Sequence, residues 1–174
     1  MDAEHMMTDA TPEKAGIALV RPATAEDETA ILELLDEDPP APSQAAGDSI
    51  EDLLRFQECY LAEGDDGGFW VAELDGTLIG TVGVRVTDPH SAEIRRLRVR
   101  APFRRRGIGA RLLQQAVDHC QERGLLKISL DVLVDRKPAI ELFEKKGFRL
   151  NRERAIDDRI LLDFYIDLYR EHTG

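Results

Sequence analysis

The apolar positions of this chain change their period at definable points, and those changes mark its elements. "IALVRPAT" (17–24) alternates as a strand and runs into a helix opening, where Thr24 and Asp27 form an approximate capping box. That helix is expected to reach about Asp36. "DPPAPSQAAGDS" then breaks the pattern as a Pro- and Ala-rich loop. Ser49 with Asp52 opens a second helical stretch, whose apolar positions are Ile50, Leu53, Leu54, Cys59 and Leu61 and whose end falls near Gly64.

"FWVAELDGTLIGTVGVRVTD" (69–88) predicts a hairpin, two β-rich runs joined at Asp75-Gly76, a dipeptide that tolerates the positive φ of a tight turn. "AEIRRLRV" (92–99) is a further strand. "GIGARLLQQAVDHCQERG" (107–124) is a helix with Ile108, Leu112, Leu113, Ala116, Val117 and Cys120 on one face and Gly124 at its end. "LKISLDV" makes the next strand, and "PAIELFEKKG" a short helix with Pro138 in its first turn and Gly147 after its last. Two strands paired across Asp157-Asp158 close the chain. The order β-α-α-β-β-β-α-β-α-β-β predicts a mixed α/β fold, mostly antiparallel, with helices on both faces of the sheet and one domain over 17–174.

Composition changes this picture little until charge is mapped. At 174 residues, 43% apolar and 33% charged, the chain fits a single globular core, and no apolar run approaches the roughly 20 residues of a membrane span. Residues 1–16 read as a flexible leader without the apolar region of a secretory signal. Cys59 and Cys120, both inside helical patterns, read as small buried hydrophobes, which fits a reducing, cytoplasmic compartment and implies no metal.

The net charge is −11, yet eight arginines and one glutamate lie between Glu93 and Arg111, a local +7 that leaves −18 elsewhere. A nucleic-acid surface would spread its positive charge and interleave aromatics, and this segment does neither. A strand ending at Val99, followed by a helix opening with Gly107-Ile108-Gly109, directs free amides and a helix dipole at one spot. Phosphate is the natural occupant, with Arg104, Arg105 and Arg106 able to add charge-assisted bonds.

Other glycine motifs fit less well. A P-loop would continue Gly-Lys-Ser/Thr, where this chain has Ala110-Arg111. A dinucleotide fingerprint would find its ribose acid in Asp131, but Leu112 occupies the third glycine place and Arg100 to Arg106 separate strand from glycine.

"RRLRVRAPFRRRGIGARLL" resembles the acyl-CoA-binding motif of the GNAT superfamily of N-acyltransferases, Arg/Gln-x-x-Gly-x-Gly/Ala, through Arg104, Gly107 and Gly109. "PAIELFEKKGF" (138–148) is similar to the family's second motif. The resemblance implies splayed central strands and acetyl-CoA as co-substrate, with its pantetheine arm on main-chain groups of Leu97, Arg98 and Val99. Its pyrophosphate would lie on the amides of Arg105, Arg106, Gly107, Ile108, Gly109 and Ala110. On the same resemblance the arginines and glycines look like the cradle of a coenzyme A polyanion.

It also implies that Glu93 is the general base and that Arg136 and Phe143 lie on the coenzyme. Phe143 stands where the family often has a tyrosine acid, and Arg136 where an asparagine is common. The implied activity is N-acetyl transfer to a primary amine by direct attack in a ternary complex. The acceptor, a small molecule or a protein, stays open, as does a homodimer; the protein's acidity favours a cationic amine. The alternative is a non-catalytic module that senses acyl-CoA or scaffolds a partner. Tyr165 and Tyr169 read as packing or rim residues. His90 and His119 read as surface residues, like His5 and His172 near the termini.

Overall fold

The computed structural model describes residues 16–37, 50–64 and 67–169. The leader up to residue 15, Ser49, His5 and His172 lie outside them. The strands are β1 (Leu19–Pro22), β2 (Gly68–Leu74), β3 (Thr77–Asp88), β4 (Ser91–Val99), β5 (Lys127–Leu133), β6 (Arg149–Ile156) and β7 (Arg159–Asp167). The helices are α1 (Glu28–Glu37), α2 (Glu51–Leu54), α3 (Ile108–Glu122) and α4 (Lys137–Lys145). The element order is the one the periodicity predicts.

The sheet runs β1-β2-β3-β4-β5-β7-β6, and every neighbouring pair is antiparallel except β4 and β5. Successive side chains of a strand face opposite sides, and β2 shows it. Trp70 and Ala72 enter the core under α3 and α4, whereas Phe69 and Val71 enter a second core with Ile31, Leu34, Phe56 and Tyr60. All six residues expected on the apolar face of α3 are buried. Thr24 N–H donates to Asp27 Oδ2 at 2.8 Å, so the capping box forms.

The second helical stretch departs from expectation. α2 is a single turn, followed by a wide turn over Gln57–Leu61. Ile50 and Leu54 are 56% and 73% exposed, while Asp52, Phe56 and Tyr60, spaced four apart, are buried. Of the expected positions Leu53 is buried and Cys59 and Leu61 pack against the same core, so the apolar count found part of the face and missed that an aspartate belongs to it. His119 also differs: it is half-buried, its ring edge-on to Trp70 at 4.7 Å.

Candidate functional site

Pairing between β4 and β5 is short. Ser91, Ala92 and Glu93 lie opposite Lys127, Ile128 and Ser129, and beyond Glu93 the register ends. Ile94 to Val99 on one side and Leu130 to Leu133 on the other then line a cavity of about 770 Å³, closed at its far end by the loop before α3 and by α4. Of the expected site residues, Glu93, Leu97, Arg98, Val99, Arg104, Arg105, Gly107, Ile108, Gly109, Ala110, Arg136 and Phe143 all line it. Arg106 is outside the lining, with its guanidinium 5.4 Å from the centre of the Phe103 ring. The β5 wall, including Asp131, was not among the expected site residues, because ordinary strand residues carry no signal of their own for lining a gap.

The glycine loop is shaped by backbone conformation. After β4 a short turn over Ala101–Phe103 leads to Arg105 at φ +64 and Gly107 at φ +77, the latter a left-handed cap that glycine adopts at no steric cost. Arg111 N–H donates to Gly107 O at 3.1 Å, so the amides of Ile108, Gly109 and Ala110 precede the helical ladder and have no partner in it. A Cβ at Gly107 would meet nothing within 4 Å, and one at Gly109 only Leu142 Cδ2 at 3.6 Å and Val99 Cγ2 at 3.7 Å. The space over the loop is open to a ligand, and its amides and arginines suit an anion. Two groups expected to hold pantetheine already accept bonds: Leu97 O from Arg98 Nη1 and Val99 O from Arg104 Nε, each at 2.9 Å.

Not all the arginines belong to this cradle. Arg111 donates to the Ala18 carbonyl, and Arg100 pairs with Glu37 at 3.4 Å. Arg96 turns away from the loop altogether. β4 carries a bulge here: Thr81 faces Arg98 and Gly83 faces Arg95, so two steps on β3 span three on β4. Arg96 sits at φ +56, its carbonyl accepts from Thr81 Oγ1 at 2.7 Å, and its guanidinium binds Asp52 at 2.6 and 3.2 Å.

Asp52 is 2% exposed and also accepts from the Tyr60 hydroxyl. Burial pushes its carboxyl up, but the bonds from Arg96 and Tyr60 and the charges of Arg96 and Arg95 together outweigh that and hold it below the usual carboxylate range. Burial, reinforced by the Asp52 charge, pushes the Tyr60 phenol well up. This cluster escaped the sequence reading; the spacing of Asp52, Phe56 and Tyr60 was the signal for it.

Ala92 and Ile94 enter the core under α3, so alternation sends Glu93 and Arg95 to the α1–α2 side. Arg95 Nε lies 3.5 Å from Glu93 Oε1, and Arg95 Nη1 3.9 Å from Asp52 Oδ2. Phe143 is buried against Phe148 and Phe164. Tyr165 and Tyr169 are outside the cavity lining; Lys127 Nζ lies 5.0 Å from the centre of the Tyr165 ring, and Tyr169 is 69% exposed.

Comparison with known proteins identifies this architecture. The model of the Acetyltransferase (GNAT) family matches residues 29–148. The chain belongs to the GNAT acetyltransferase family. It is 31% identical over 124 residues to "Probable N-acetyltransferase camello" of Xenopus tropicalis, covering 69% of this chain and 56% of that protein. N-acetyltransferase 8 of Rattus norvegicus is 29% identical over 126 residues, covering 70% and 55%. The chain thus spans about half the length of these relatives.

Among solved structures, a GCN5-related N-acetyltransferase from Kribbella flavida has a TM-score of 0.73 at 25% identity, covering 87% of this chain and 98% of that one. The structure of yncA from Salmonella typhimurium with its cofactor acetyl-CoA has a TM-score of 0.71 at 19% identity, covering 90% and 96%, and supports the fold alone. GNAT proteins use acetyl-CoA, and the open space and free amides over Gly107 fit its phosphates. These matches do not favour a non-catalytic module. Among the described residues no helix is long and apolar enough to cross a membrane.

Proposed function

We propose that the chain transfers an acetyl group from acetyl-CoA to a primary amine by direct attack in a ternary complex, with Glu93 as general base. The observation that carries this reading is the position of Glu93, the last β4 residue to pair with β5, at the apex of the gap whose other end is the glycine loop. When bound, acetyl-CoA supplies the thioester carbonyl that accepts the amine.

Main-chain groups of Leu97, Arg98 and Val99 and the amides of Arg105 to Ala110 would hold the donor, with Arg104, Arg105 and Arg136 adding charge. An ammonium has no lone pair, so a carboxylate or a water chain must take its proton before or during attack. Glu93, oriented by its ion pair with Arg95, is on the cavity wall to do so. Phe143 offers no proton to the departing sulfur; a thiol of pKa near 8.5 leaves tolerably as thiolate, and backbone amides near it assist.

The test is Glu93→Gln, which keeps shape and removes basicity. Turnover near neutral pH, followed as free thiol with a panel of amines, is expected to fall about 10²-fold with acetyl-CoA affinity unchanged. Unchanged turnover would remove Glu93 from the role.

A further inference from the structure

The Arg95 side chain is only 9% exposed, yet its residue lines the cavity two positions from Glu93 on the same face of β4. Its Nη2 is buried without a hydrogen-bond partner. A buried charged donor left unsatisfied is destabilising, so such a group calls for something that completes it. The two carboxylates near it, Glu93 at 3.5 Å and Asp52 at 3.9 Å, are beyond good hydrogen-bond reach, and Asp52 is already engaged with Arg96 and Tyr60.

We infer that Arg95 recognises a carboxylate on the acceptor, so that the acceptor is an α-amino carboxylate rather than a simple amine or polyamine. This rests on the reading of the site as an N-acetyltransferase with Glu93 as base. Two features support it beyond the orphaned donor.

The first is spacing. In an α-amino acid one carbon separates amine from carboxylate, and Glu93 Oε1 and Arg95 Nε are 3.5 Å apart. One acceptor of that kind can therefore set its amine on the base and its carboxylate on the guanidinium together.

The second is charge. Arg95 and Arg96 face Asp52 and Glu93, two cations against two anions. When Glu93 takes the amine's proton, this set is left with one positive charge in a half-buried place, and an acceptor carboxylate neutralises it. In the step itself Glu93 takes the ammonium's first proton, the lone pair so freed forms the bond to the acetyl carbon, the carbon–sulfur bond breaks with its electrons going to the sulfur, and the second nitrogen proton passes to the departing thiolate or to water. A polyamine or aminoglycoside would instead bring a second cation toward Arg95.

Matched acceptors test this: several L-α-amino acids, small and aromatic, each with its decarboxylated amine and its α-carboxamide, assayed with acetyl-CoA for thiol release. The expected result is a kcat/KM at least about 10²-fold higher for the acid than for either analogue, since a site built to bond a polar group rejects ligands lacking it. Arg95→Met should erase that preference, and Arg95→Lys, which keeps the charge, should retain part of it. Equal rates across a triplet in the wild type, or an amide as good as the acid, would overturn the inference while leaving the acetyltransferase reading intact. Acetyl-CoA binding without thiol release to any member would overturn the transferase reading and this one with it. A preference that survives in Arg95→Met would assign the carboxylate to another residue.

Discussion

Replacing Asp52 by asparagine keeps the side chain's size and removes the charge that two buried guanidiniums share. Arg96, 7% exposed, loses the partner of its bonds at 2.6 and 3.2 Å, and Arg95 loses the nearby anion at 3.9 Å. Breaking a buried ion pair from one side costs about 3–5 kcal/mol, because the remaining charge is left uncompensated. Against a typical total of about 5–15 kcal/mol this is a large share. For a chain of this length about 2–4 °C of Tm accompany each kcal/mol, so the expected drop is about 6–20 °C.

The same pair holds Arg96 at φ +56, a conformation that costs a non-glycine residue about 1–2 kcal/mol. Its loss should therefore loosen the β4 bulge and weaken coenzyme A binding as well. The assay is a thermal melt of wild type, Asp52→Asn, Arg96→Met and the double variant. A double variant more stable than Asp52→Asn alone is expected, since it removes the stranded Arg96 charge. A drop under about 2 °C for the single change, or simple additivity in the double, would refute the reasoning.

Gly109→Trp fills the space over the first turn of α3, so coenzyme A should stabilise the wild type in a thermal-shift assay and the variant not at all; equal shifts would contradict the cradle. Stability should fall in acid: the Arg21 hydrogen bonds hold Asp27 down to about 2, so its contribution is complete above the unfolded aspartate value of about 3.9 and is lost as pH falls from there toward 2. Asp52 and Asp163 are shifted in the same direction. A urea midpoint unchanged between pH 6 and pH 3 would count against these ion pairs. Phe143→Tyr should raise turnover only a few-fold, because thiolate departure does not depend on a phenol; a gain of about 10² would show that a general acid had been missing.

Periodicity was a sound guide wherever a side chain's burial followed from its own polarity. α3 shows this best, its six apolar positions all buried and its boundaries marked by Gly107 and Gly124. β2 and β3 followed from their β-rich runs and from the Asp75-Gly76 turn. α2 failed for the converse reason. Asp52 is buried because Arg96, 44 residues away, meets it there; its four-residue spacing from Phe56 and Tyr60 marks the face, but no local pattern names the partner. The β4 bulge was hidden for a related reason, since its left-handed residue is an arginine held by a tertiary ion pair.

The arginine segment shows how far charge can be read without contacts. As a string, Arg95 to Arg111 is one basic patch, and its proximity to Gly107 assigns it to a phosphorylated ligand. Strand alternation and the bulge divide it instead. All five line the cavity, but Arg95 and Arg96 also meet Asp52 and Glu93 on the α1–α2 side, whereas Arg104 and Arg105 belong to the loop before α3. The division has a chemical consequence. Polyanionic donor and amine acceptor need opposite surroundings, and a single positive field across the gap would repel an ammonium from Glu93. Burying one aspartate under the bulge offsets part of the charge of the inner arginines. On the proposed reading Asp52 therefore bears on the acceptor side without lining the cavity itself.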